Sequence, residues 1–483
     1  MDETLKDLPE AVYPLSPLDI IASHLYISNC FFFDNSTRED GFKLEQRLHR
    51  GLYRALQQFP ILAGELQHSG LNAMSIVVNP KKPNMPGWET TTADIPFGVL
   101  KQRGFRYSHW SADLRVEDPL LSAGEQGPAK LVRVRLCRFV DNGGVAVLVR
   151  IAHAAFDAKG VVAFINCWAD CCRLESPANT PQPKPVMLSR EPAMLSKKPA
   201  ILSRKPAILS RKPEVILSRD AMYRRLPAAV QPSPLPWPLY PLCLLLSLLL
   251  NILAFFLKKN LISGDSESHL FAISRNSMDA VRDEAKQSGN AISDNDLIVA
   301  LFTMAYAQST SAKPGAPKVK AIVPCDLRHR LDIPEAYVGN CAVGLFVTVP
   351  TDQLFEPICG KSLIAVAMEC RKTVDTADRN AIERLIRRAM QSIRLLGSKA
   401  RVLYSLMICQ AFSNQSRLAF YSVNFGLGPP VLAVPVAYPR TLAVVVPSPP
   451  PSDDIYVWLS LQSEQMRLLV QNESFRSFVN IVY

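Results

Sequence analysis

The chain has 483 residues, 48% hydrophobic and 20% charged; that is enough apolar material for two or more domains or one two-lobed fold, and it excludes global disorder. Net charge is +11, but the excess is concentrated in Lys184 to Arg225, with no zinc-finger spacing or aromatic-basic motif, so no nucleic-acid partner is expected. Eleven scattered cysteines include one cluster, Cys167, Cys171 and Cys172, with no second Cys or His pair at zinc spacing; this fits buried free thiols in a reducing compartment and no metal.

The first residues are acidic and polar, unlike a signal or transit peptide. Leu44, Leu48, Leu52 and Leu56 form one apolar stripe, which predicts a helix ended by Pro60. "KLVRVRLCRF" alternates as a half-exposed strand does, and "DNGG" (Asp141 to Gly144) predicts a hairpin turn. Val145 to Ala152 is apolar almost without break and reads as a central strand. His153 follows it, and a helix is expected after Gly160. From Pro181, "MLSREPA", "MLSKKPA", "ILSRKPA" and "ILSRKPE" repeat every seven residues. A proline in every copy forbids a continuous helix, so an exposed linker is expected. An uncharged stretch, Pro232 to Leu257, comes next. Its proline-free part, Leu242 to Leu257, would reach about 24 Å as a helix, against a hydrocarbon core of about 30 Å. Beyond Ser266, "MDAVRDEAKQSG" and "SDNDLIVALFTMAYAQS" read as helices, the second capped by Ser293 or Asp294. "KVKAIVPCD" begins as a strand, helical patterns fill 360–400, and "LAVVVPSPPPSDDIYVWLSLQ" reads as a hairpin.

The stretch "RIAHAAFDAKGVVAF" (150–164) carries the chemistry. Transfer of an acyl group from a thioester to a hydroxyl or amine needs a base for the acceptor proton, and a near-neutral histidine at the exit of a strand suits that task. Asp157 would hold the turn and Gly160 would permit close return of the chain. A satisfied corner histidine reads equally well from these residues alone. His24, His49, His68, His109, His269 and His329 stand without partner motifs and are expected to be scaffold.

A second stretch, "FYSVNFGLGPP", carries Asn424, Phe425, Gly426, Leu427 and Gly428. Together the two motifs resemble the BAHD acyltransferases, which pair H-x-x-x-D-G or H-x-x-x-D-x-x-G with D-F-G-W-G. "LSPLD" (15–19), "FPILAGEL" (59–66) and "VPCDLRHRLDIPEAYVGN" (323–340) look most like the fungal, trichothecene 3-O-acetyltransferase-like branch, in the same order along the chain. The resemblance implies an α/β fold of two chloramphenicol acetyltransferase-like lobes with a solvent channel between them. It divides the chain into an N-terminal lobe (1–180), a linker with the apolar segment (181–265) and a C-terminal lobe (266–483). It implies His153 as general base, and an acyl-CoA, acetyl-CoA by analogy with the branch, as co-substrate with no bound cofactor. The acceptor would be a small alcohol, a secondary metabolite by the same analogy. Asp157 would pair with Arg328, or failing that Arg330, in a structural role. The Asn424 to Gly428 loop would shape the lobe interface near the CoA side.

Asn424 stands where the family has aspartate and Leu427 where it has tryptophan, and the family's T-S-W segment is reduced to "FSNQS" (412–416). Two alternatives therefore stay open: an inactive binding protein of the same fold, and a condensation-type catalyst using a carrier-bound donor. A site shared by both lobes forbids a single membrane crossing between them. A monomer facing the cytosol is expected, attached peripherally or by a hairpin through Leu235 to Leu257.

Overall fold

The computed structural model describes residues 8–35, 40–68, 74–115, 121, 128–174, 215–226, a few positions between 241 and 249, 266–310, 318–396, 410–436 and 441–482. The N-terminal part runs β1 (Ala11–Pro14), α1 (Pro17–Ala22), β2 (Tyr26–Asp34), α2 (Gly41–Gln58), β3 (Glu65–His68), β4 (Met74–Val78), β5 (Gly87–Ala93), α3 (Phe97–Gln102), β6 (Val132–Phe139), β7 (Gly144–Ala152), α4 (Ala158–Arg173) and α5 (Asp220–Arg225). There follow β8 (Ser266–Ile273), α6 (Arg275–Gln287), α7 (Asp294–Ser309), β9 (Lys318–Asp326), β10 (Ala342–Pro350), α8 (Thr351–Leu354), α9 (Gly360–Asp375) and α10 (Arg379–Leu396). The chain ends with β11 (Gln410–Asn414), β12 (Leu432–Pro435), β13 (Leu442–Val446), β14 (Ile455–Gln462), α11 (Ser463–Gln471), α12 (Glu473–Arg476) and β15 (Val479–Ile481).

Two large sheets organise these elements. One has the order β12-β2-β7-β6-β5 and the other β10-β9-β11-β13-β14-β8-β15; β1, β4 and β3 form a small third sheet. The leucine stripe of α2 and the apolar face of α4 cover one side of the first sheet, where Leu48, Leu56, Phe31, Val147, Phe164 and Trp168 are fully buried. Helices α6, α7, α9 and α11 supply the core on one side of the second. A third cluster joins the sheets, bringing Phe32 and Leu148 against Val444, Val446 and Trp458. β7 lies between β2 and β6 and is covered on both faces, which accounts for its unbroken apolar run. Ser293 caps α7 through a capping box with Asp296, and β13 and β14 form the expected hairpin.

The expected boundaries need revision in three places. The C-terminal half lends β12 to the first sheet, where it pairs with β2, so the chain crosses back over the 266–483 division. Val215–Leu226, assigned to the exposed linker, is packed: Ile216 bridges Tyr337, Met222 is fully buried, and Arg219 is 2% exposed. Finally, α4 begins at Ala158 with Asp157 as its N-cap, so Gly160 lies within the first helical turn rather than before the helix. The four heptapeptide copies and most of Leu235 to Leu257 lie outside the described residues. Among the described residues no helix is long and apolar enough to cross a membrane.

Candidate active site

His153 sits where β7 leaves the sheet. Its amide donates to the Leu25 carbonyl (2.8 Å), and its carbonyl accepts from Asn340 Nδ2 (2.7 Å). The backbone is thus pinned from both sides, and the ring it carries is half-buried. Among the described residues its enclosed Nδ1 has no hydrogen bond of ordinary geometry. Burial holds the imidazole pKa below its usual 6.5, opposed by the ring's own carbonyl, Asp157, Asn340 and Asp19. The ring is therefore neutral near pH 7 and able to accept a proton.

Asp157 has both carboxylate oxygens engaged by other groups. Its Oδ1 accepts the Gly160 amide (3.0 Å), as an N-cap does, and its Oδ2 takes Arg328 Nη2 (2.7 Å). Arg328 is 2% exposed and also reaches the Tyr337 carbonyl (2.8 Å from Nη2, 3.2 Å from Nε) and Asp326 (3.2 Å). Burial pushes the Asp157 carboxyl above the usual carboxylate value, and Arg328 opposes that push. Arg330 is elsewhere: it donates to the carbonyls of Ala377 and Val374.

Gly160 is required by space. A Cβ there would come 2.2 Å from the Val338 carbonyl oxygen and 2.9 Å from Phe156 Cβ. Glycine to alanine in a helix ordinarily gains about 1 kcal/mol. Here the clash with fixed backbone reverses the sign, and Gly160→Ala is expected to destabilise by about 1–3 kcal/mol. A urea midpoint equal to or above that of the unaltered chain would contradict this.

A second buried ion pair was not foreseen. Asp19, within "LSPLD", is fully buried. Its Oδ2 accepts Ser16 Oγ (2.7 Å), the Ser16 amide (2.8 Å) and Arg219 Nε (3.1 Å). Its Oδ1 accepts the Asn340 side chain (2.7 Å) and amide (3.0 Å). Arg219 also donates to the Ala155 carbonyl. The chain Arg219–Asp19–Asn340 therefore ends on the His153 carbonyl and clamps the 153–155 turn from behind.

The Asn424–Gly428 loop keeps its shape without an aspartate, because Asn424 Oδ1 accepts the amides of Gly426 (2.8 Å) and Gly428 (3.0 Å). Both glycines have left-handed backbone, φ +97° and +88°, which side-chain-bearing residues rarely adopt. Phe425 is fully buried with its ring centroid 4.7 Å from that of Trp168, and its carbonyl accepts Arg47 Nε (3.0 Å). The Asn424 carbonyl accepts Arg173 Nη1 (2.9 Å). The loop is thus tied to α2 and α4, beside the first sheet.

The Transferase family model matches residues 5–80 and 265–476. The chain belongs to that Transferase family. The match passes over 81–264, which hold His153, so the geometry above is the evidence for that residue. This transferase is 30% identical over 178 residues to akuammiline synthase 1 of Alstonia scholaris, covering 36% of this chain and 38% of the relative. It is 30% identical over 156 residues to the BAHD acyltransferase BIA1 of Arabidopsis thaliana, covering 32% and 33%. The chain thus aligns with about a third of the length of these curated relatives, 38% and 33%. Its fold is that of TRI101 from F. graminearum, solved in complex with coenzyme A and T-2 mycotoxin: TM-score 0.68 at 15% identity, over 98% of this chain and 100% of the other. The transferase is a BAHD-type member with the two-lobed acyltransferase fold.

Proposed function

We propose that this transferase moves an acyl group, acetyl in the first instance, from acyl-CoA to a hydroxyl of a small acceptor, with His153 as general base. The observation that carries this is a neutral imidazole at a doubly pinned strand exit, with the neighbouring carboxylate committed to Arg328 instead of to the ring. Coenzyme A in the TRI101 complex supports the donor class. With Nδ1 enclosed, Nε2 is the nitrogen that takes the acceptor proton. The hydroxyl oxygen attacks the thioester carbonyl, giving a tetrahedral oxyanion. Collapse breaks the C–S bond, and the imidazolium returns its proton to the leaving thiolate, leaving an ester and free CoA. His153, Asp157 and Arg328 need no metal for these steps.

Two measurements test the reading. Acetyl-CoA should support turnover of simple alcohols, whereas the same acetyl group on a phosphopantetheinylated carrier protein should not; the reverse result would favour a condensation-type catalyst. Because burial lowers the His153 pKa, the base is lost only when pH falls below that lowered value. The acid limb of kcat/KM should therefore have its midpoint below 6.5. A midpoint above 6.5 would count against His153.

A further inference from the structure

The turn that carries His153 is backed by residues 215–226, the segment that follows the heptapeptide copies. This segment reaches three separate parts of the chain. Ile216 pairs with the 336–338 stretch: its amide donates to the Ala336 carbonyl (2.9 Å) and its carbonyl accepts the Val338 amide (3.3 Å). Tyr223, on α5, donates to the Leu15 carbonyl (2.6 Å), just before the Ser16 cap of α1. Between these two anchors the side chain of Arg219 is 1% exposed, and it meets an Asp19 carboxylate that is fully enclosed. Burying an ion pair carries a desolvation cost that the pair does not always return, so the hydrogen bonds around it matter as much as the pair. Here those bonds converge on the turn of the base. Arg219 Nη2 donates to the Ala155 carbonyl. Asp19 Oδ1 accepts Asn340 Nδ2 (2.7 Å), and that same nitrogen donates to the His153 carbonyl (2.7 Å). The Ala155 amide closes the turn on the Ala152 carbonyl (2.9 Å). One guanidinium therefore fixes two carbonyls of the turn, one directly and one through Asp19 and Asn340. Asp157 and Asp19 are the charged groups that act on the His153 ring; Arg328 balances the first and Arg219 the second.

We propose that Arg219 is a positioning residue for His153: its guanidinium fixes the carbonyls of the 153–155 turn and balances the Asp19 carboxylate behind it. This rests on the reading of His153 as general base and adds to it the group that sets the base in place. A misplacement of about 1 Å can cost about 10² in rate. With acetyl-CoA and cyclohexanol, Arg219→Gln should therefore lower kcat by about 10–100-fold, while KM for acetyl-CoA stays within about twofold. A second readout does not depend on turnover. The proton resonance of the His153 ring, identified by its absence from His153→Ala, should titrate at higher pH in Arg219→Gln, because an unbalanced Asp19 carboxylate favours the imidazolium. Adding Asp19→Asn removes that carboxylate. The midpoint should then return while kcat stays low, since the Ala155 carbonyl still lacks its donor. Arg219→Lys restores the charge without the fork, and should recover the midpoint but only part of kcat. A role in folding alone would lower kcat through fewer folded molecules and leave the titration of the folded ones unmoved. An unmoved His153 midpoint in Arg219→Gln, or the original kcat in the double variant, overturns the proposal. Should Arg219→Gln fail to fold, the double variant, in which no charge is left alone, decides by kcat. Original turnover in His153→Ala would remove the base and this proposal with it; loss in His153→Ala beside unchanged kcat in the double variant overturns the positioning role and leaves the base standing.

Discussion

Replacing His153 with alanine is expected to lower acyl transfer by about 10²–10⁴-fold, the range a positioned general base supplies. The fold should survive the change. The 153 amide and carbonyl keep their partners, Leu25 and Asn340, whichever side chain stands there, and the ring itself makes no hydrogen bond through Nδ1 among the described residues. Tm should therefore move by only a few degrees while kcat, followed by the appearance of free CoA thiol, falls steeply. A variant that turns over at the original rate would mean that another group takes the proton. Equal silence from the original chain and the variant, across a broad set of alcohols, would leave a non-catalytic protein on the same fold.

The parts of this molecule that local pattern encodes were legible. The α2 leucines, the unbroken β7 run and the Ser293 cap each follow from the period or chemistry of a few neighbouring residues, and the elements form where expected. Arg328 beside Asp157 came from a motif and not from local pattern, since 171 positions separate the two. What escaped was long-range pairing that no motif had singled out. Asp19 lies 200 positions from Arg219 and 321 from Asn340, and no periodicity links them. Strand β12, four residues long, carries too little pattern to reveal that it joins β2.

Arg219 also shows how a repeat can hide a docked segment. Ile216–Arg219 repeats the Ile-Leu-Ser-Arg of the copies at 201 and 208, so it reads as more of the same linker. Two departures distinguish it. It begins eight residues after the preceding copy instead of seven, and Asp220-Ala221 replaces the Lys-Pro that follows the others. Without that proline a helix can start at Asp220, and α5 does, burying Met222.

The Asp157–Arg328 pair should dominate stability as His153 dominates rate. Both side chains are buried, and removing one partner of such a pair leaves an uncompensated charge, at a cost of about 3–5 kcal/mol. Arg328→Ala is expected at that level, with two Tyr337 carbonyl bonds lost as well. Asp157→Ala loses the helix cap in addition, about 1 kcal/mol. The double variant should be less unstable than the sum of the singles, because neither charge is then left alone. The pH dependence distinguishes charge from lost packing. Burial already holds the Asp157 carboxyl above its unfolded value of 3.8, and removing Arg328 takes away the main opposing charge. In Arg328→Ala the folded state therefore binds a proton at a pH where the unfolded state does not, and stability rises as pH falls from 7 through that raised pKa. Urea unfolding at pH 7 and pH 5 should show the Arg328→Ala deficit shrinking at the lower pH while that of the double variant stays constant. An equal deficit at both values would mean that Arg328 stabilises through packing and carbonyl bonds, with Asp157 already neutral in the intact protein.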